Sequence, residues 1–199
     1  VQILIVPTPG NAALLTARII ARELRDRPDL VLGLATGSTM ERVYAYLATF
    51  HRQEGLDFSR CRTFNLDEYL GIPPDHPGSY RRYMNEQLFN RVNVDPARTH
   101  LPDGMATDLK GECRRYEDLI RAAGGIDLQL LGLGADGHIG FNEPLSALLS
   151  RTRDKVLMED TRARNAAQFG GELSQVPRRA ITMGVGSILD ARRCLLLAT

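Results

Sequence analysis

Residues 126–144 read IDLQLLGLGADGHIGFNEP. The first part, IDLQLLGL (126–133), is a short, nearly continuous apolar run. Such a run suits a strand buried on both faces, as in a parallel sheet. It then breaks into glycines, and Asp136, His138 and Glu143 follow within a few residues. In open α/β sheets, ligands bind beyond the carboxyl ends of the strands. Two carboxylates and an imidazole at that place predict an acid–base site rather than a polar helix cap.

The flanking sequence repeats the pattern. QILIV (2–6), VLGLA (31–35), CRTFN (61–65), DKVLME (154–159), AITMG (180–184) and CLLLAT (194–199) read as further strands. Between them lie amphipathic stretches at 11–27, 40–53, 79–92 and 107–125. The first has Asn11 placed as its N-cap, and the last stops at Gly124–Gly125. This alternation predicts one α/β domain over 1–199: a doubly wound, mostly parallel, Rossmann-like sheet with helices on both faces. The Pro-rich GIPPDHPGS (71–79) reads as a loop, a candidate lid or wall.

The net charge of +1, with 25% charged and 43% hydrophobic residues, is that of an ordinary globular protein. It lacks the basic footprint of a nucleic-acid binder. No apolar run is long enough for a membrane span, and VQILIVPTPG does not resemble a signal peptide. Cys61, Cys113 and Cys194 are widely spaced and odd in number, which argues against a disulfide framework and for a reducing cytoplasm. Cys61 and Cys194 lie in apolar runs and read as small core residues.

Three strand ends carry polar clusters. Thr36, Gly37, Ser38 and Thr39 join a strand to a helix; free N–H groups and hydroxyls there form an anion cradle. With neither GxxxxGK[ST] nor GxGxxG in the segment, a small phosphorylated ligand fits better than a nucleotide. Asp67 and Glu68 follow the strand ending near Asn65. Asp67 in a cleft becomes a general base once partial burial raises its pKa. In the third cluster, Gly132 and Gly134 let the backbone approach a ligand. Asp136 is placed to orient His138, and a turn after Phe141–Asn142 would return Glu143 toward the imidazole. No second His or Cys lies nearby to complete a zinc site, so no metal and no cofactor is expected. A phosphate cradle, a carboxylate base and an Asp–His–Glu relay suit proton transfers on a sugar phosphate.

TGST, FNLDEY, HPGSY, GLGADGHIGFNEP, SRTR and QVPRRAITMGVGSILDA, in this order and spacing, resemble the glucosamine-6-phosphate deaminases (glucosamine-6-phosphate isomerases) along nearly the whole chain. The resemblance implies conversion of glucosamine 6-phosphate and water to fructose 6-phosphate and ammonia. It implies Asp67 as the base at C2 and C1, and His138 as the ring-opening group tuned by Asp136 and Glu143. Gly37, Ser38 and Thr39 match the phosphate loop. Ser146, Arg153 and Lys155 match the site for the activator N-acetylglucosamine 6-phosphate in allosteric, hexameric members, which implies a homo-oligomer.

Two departures stand out. Where the family carries a phosphate-gripping Arg in an N-x-R-F-F stretch, this chain reads NAAQF, with Ala167 in its place and Arg164 one helical turn earlier. The family chain also continues into a G-x-x-K loop and a C-terminal segment, whereas this sequence stops at Thr199, so a clipped C-terminus is expected. Each charge-assisted phosphate contact contributes about 1.5–3 kcal/mol, so losing two weakens binding roughly 100-fold or more. The alternatives are a non-catalytic sugar-phosphate-sensing domain and a 6-phosphogluconolactonase. Against the lactonase, Glu143 and Tyr69 stand where those proteins read DGHTASLFP and DER.

Overall fold

The computed structural model describes residues 1–199. Helix α1 (Pro9–Asp26) is opened by Thr8, whose Oγ1 accepts the Asn11 N–H at 3.1 Å, with Pro9 in the first turn. The cap is therefore Thr8 and not Asn11: a proline fits the first turn because its missing N–H would have no helical partner. Strand β1 (Val31–Leu34) runs into α2 (Ser38–Glu54), which ends at Gly55 in the left-handed conformation. Then come β2 (Arg62–Asn65), the short β3 (Asp67–Tyr69), α3 (Tyr80–Gln87) and the two-residue β4 (Thr99–His100). Helix α4 (Leu109–Ala122) is capped by Asp108, which accepts the Gly111 N–H at 2.9 Å, and leads through Gly124–Gly125 to β5 (Leu128–Gly132). The chain closes with β6 (Arg153–Val156), α5 (Glu159–Asn165), β7 (Arg179–Thr182), α6 (Val185–Leu189) and β8 (Arg193–Leu197).

Five strands form a wholly parallel sheet in the order β4-β2-β1-β5-β8, with Leu34 opposite Asn65 and Leu32 opposite Leu128. The carboxyl ends of β1, β2 and β5 thus lie side by side. Each leads directly into one of the three polar clusters. β1 is buried along its whole length, and a core of 41 buried residues runs through the molecule. Gly33 on β1 sits beneath Gln129 of β5: a Cβ there would lie 2.1 Å from the amide oxygen.

The structure differs from the sequence reading in four further places. Residues 2–6 form no strand, and Ile3, Leu4 and Ile5 are exposed. Apolar composition makes a strand only where a neighbour pairs its N–H and C=O groups. The segments at 154–159 and 180–184 contribute to a separate antiparallel sheet, β3-β7-β6, instead of the parallel one. β6 is only partly buried, as a strand covered on one side tends to be. DEY, read as a strand end, is itself β3. Finally, Cys61 and Cys113 are buried but Cys194 is exposed, because β8 is an edge strand with little covering that side chain.

Candidate active site

The three clusters meet at one cleft of about 560 Å³. On its first wall, Gly37 adopts φ +108°, a backbone conformation that favours glycine. Helix α2 has no side-chain cap, unlike α1, α3 and α4; Met40 N–H bonds the Gly37 carbonyl, while the N–H groups of Ser38 and Thr39 stay free for a ligand. Two tyrosines hold this loop. Tyr44 donates to the Ala35 carbonyl, and Tyr83 donates to the Gly37 carbonyl at 2.8 Å.

Asp67 and Glu68 are both buried, at 5% and 4% exposure, yet only Asp67 lines the cleft. Burial, then the charge of Glu68, push the Asp67 carboxyl up to about 8, opposed by the neighbouring Phe141 N–H and Thr182 hydroxyl. Glu68 points the other way. Its Oε1 accepts from Tyr69 N and Tyr80 N, and its Oε2 from Ser79 Oγ and Arg81 N, all at 2.9 Å. It thus closes the N-terminus of α3. Burial raises its pKa too, opposed by those four donors.

After β5 the chain makes a tight turn, with Gly134 N–H bonded to the His138 carbonyl at 2.9 Å and Gly137 at φ +86°. The His138 ring lies so close to Gly134 that a Cβ there would fall 2.2 Å from it, so only glycine fits. Gly132 meets the Met40 side chain of α2. Nδ1 of His138 is hydrogen-bonded to Asp136, which leaves Nε2 free at the cleft. Slight desolvation would raise the Asp136 carboxyl, but the hydrogen bond and charge of His138 outweigh it and hold it below the usual range.

Glu143 does not return to the imidazole. Its buried Oε1 accepts from Met158 N at 2.9 Å and Thr161 Oγ1 at 2.7 Å, so it reaches the cleft wall through Thr161. The chain turns away at Pro144 and pairs Glu143 with the start of α5. Ser146, Arg153 and Lys155 lie outside the cleft. Arg153 donates to Ser146 Oγ at 3.3 Å, and Ser146 in turn donates to the Glu143 carbonyl at 2.8 Å. Arg153 and Lys155 share one face of β6.

Leu145 sits between these groups at φ +73° and is fully exposed. The left-handed conformation costs a side chain about 1 kcal/mol. Leu145→Gly is expected to raise stability by at most ~0.5 kcal/mol in urea denaturation, since the entropy of glycine offsets half or more of the relief.

Sequence reasoning missed the wall formed by Thr161 and Asn165, where Asn165 donates to Tyr69 OH at 2.9 Å. No local signal marks these residues. The Pro-rich loop at 71–79 is absent from the lining and instead packs on Phe169, through His76 (rings 5.7 Å apart) and Gly78. Groups of three or more His, Cys, Asp or Glu poised to hold a metal do not occur. A larger cavity, about 1030 Å³, lies between α4 and β6, but Asp67 and His138 are both absent from it. Convergent chemistry, not volume, selects the smaller one.

A family model described as glucosamine-6-phosphate isomerases/6-phosphogluconolactonase matches residues 10–199. The chain belongs to this family. Among curated isomerase/lactonase family members, it is 52% identical over 198 residues to a glucosamine-6-phosphate deaminase of Arthrobacter sp. (strain FB24), covering 100% of this chain and 76% of that protein. A solved structure described as a monomeric glucosamine-6-phosphate deaminase superposes with a TM-score of 0.96 at 44% identity, over 98% of this chain and 81% of that one. The Trypanosoma brucei 6-phosphogluconolactonase superposes at 0.74 with 20% identity, over 99% and 81%, a likeness of fold alone.

Proposed function

We propose that this chain is a glucosamine-6-phosphate deaminase working by acid–base chemistry. One observation carries the reading: a buried Asp67, its carboxyl pushed up to about 8, and a carboxylate-oriented His138 line the same cleft as the N-terminus of α2. The loop at Thr36–Thr39 takes the phosphate. His138 moves the proton from the anomeric hydroxyl to the ring oxygen, and the sugar opens to its aldehyde. Asp67 removes the C2 proton, giving an enolamine, and returns it to C1. The resulting C2 imine adds water and expels ammonia, leaving fructose 6-phosphate. A base that titrates near neutrality suits a step in which one carboxylate both takes and gives a proton.

For regulation, we read Ser146, Arg153 and Lys155 as the place where N-acetylglucosamine 6-phosphate binds. Arg153 and Ser146 already touch, and Ser146 touches Glu143, which bonds the cleft wall. The structurally similar deaminase is monomeric by description, and we read turnover here as needing no second copy even where copies associate. No helix is long and apolar enough to cross a membrane, and all three cysteines are free, which suits the cytoplasm.

The test is ammonia release from glucosamine 6-phosphate, with and without N-acetylglucosamine 6-phosphate, beside 6-phosphogluconolactone hydrolysis as a control. Ammonia without lactone hydrolysis is expected. Binding of the amino sugar with no ammonia would instead indicate a sensor.

A further inference from the structure

The charges around the cleft are unevenly placed. Glu41 and Asp67 are acidic, and Arg164 is the one lysine or arginine among the lining residues. Arginines elsewhere, such as Arg18, Arg27 and Arg115, are tied to carboxylates. Arg164 is exposed and makes neither ion pair nor hydrogen bond within the chain. Its helix is nevertheless anchored on both sides of it. Arg162 donates to the carbonyls of Leu173 at 2.7 Å and Val176 at 3.0 Å, and Asn165 donates to Tyr69 OH. These bonds hold α5 against the body while Arg164 stays free at the cleft. Ala167, which also lines it, offers no donor.

A phosphate dianion on the Thr36–Thr39 loop would meet neutral N–H and hydroxyl donors, with Glu41 nearby. A guanidinium adds positive charge and a planar fork that matches two phosphate oxygens. We infer that Arg164, unpaired and sharing the cleft with the Gly37–Thr39 loop, is the cation that grips the substrate phosphate and sets the preference for a phosphorylated sugar. This rests on the reading of the cleft as a sugar-phosphate site.

Two readouts separate the claims: the Kd for inorganic phosphate by calorimetry, and ammonia release from glucosamine 6-phosphate. Arg164→Ala is expected to weaken phosphate binding ~10–100-fold and to raise KM by a similar factor, with kcat changed only a few-fold. Arg164→Lys, which keeps the charge but not the fork, should fall between the two. Unchanged thermal melting would show that Arg164→Ala is folded. Phosphate binding and KM within twofold of the unsubstituted protein in folded Arg164→Ala would overturn the assignment while leaving the deaminase reading intact. Phosphate binding lost on Arg164→Ala, in a protein that releases no ammonia even unsubstituted, would uphold the assignment and sink the deaminase. Failure of the unsubstituted protein to bind millimolar phosphate would overturn both.

Discussion

Asp67→Asn is expected to lower kcat by about 10⁴-fold and, at the same time, to make the protein more stable. The amide cannot accept the C2 proton, so exchange of that proton with solvent should stop while phosphate binding persists. The stability gain follows from linkage. The Asp67 carboxyl titrates near 3.8 in an unfolded chain and at about 8 in the fold. The folded state therefore holds a proton that the unfolded state has lost between those values, and stability falls as pH rises through that window. At ~1.4 kcal/mol per pH unit, ionising Asp67 in place costs at most about 6 kcal/mol. The melting temperature of Asp67→Asn should match the unsubstituted protein near pH 4 and exceed it increasingly toward pH 8. In the unsubstituted enzyme the same ionisation sets an acid limb in kcat/KM, rising with pH to a midpoint near 8. Equal melting of the two proteins across that range would remove the buried, protonated carboxyl from the account.

Glu68→Ala should do the reverse. Removing this carboxylate strands Tyr69 N, Tyr80 N, Arg81 N and Ser79 Oγ, all within a buried corner at the start of α3. At about 1 kcal/mol per hydrogen bond, with a further cost for donors left unpaired, the expected loss is ~3–5 kcal/mol. Urea denaturation reads it directly, and a loss under 1 kcal/mol would mean that water replaces the carboxylate. Phosphate binding is expected to weaken in step, because Tyr83 on α3 braces the Thr36–Thr39 loop.

These neighbours mark the limit of what the sequence discloses. As two acids after a strand, Asp67 and Glu68 look alike. What separates them is Phe141 and Thr182 on one side and Ser79 to Arg81 on the other, contacts made far along the chain. The strand–turn units at β1, β2 and β5 were readable because apolar runs and glycines are local signals. So was the gathering of Thr36–Thr39, Asp67 and His138 round one cleft, since parallel strands bring their carboxyl ends together. Glu143 was misplaced because residue spacing says nothing of a bond to Thr161. QILIV was misread for a related reason: a strand is a property of a pair.

The tyrosines beneath the Thr36–Thr39 loop bear on how the two walls of the cleft meet a ligand. With Tyr44 and Tyr83 holding it, the loop enters the encounter preorganised, and little ordering entropy is lost there. The α5 wall is fastened as well, through Glu143, Arg162 and Asn165. Both walls are thus set before a ligand arrives, and a change that loosens either one would shorten the ligand's residence time without touching it.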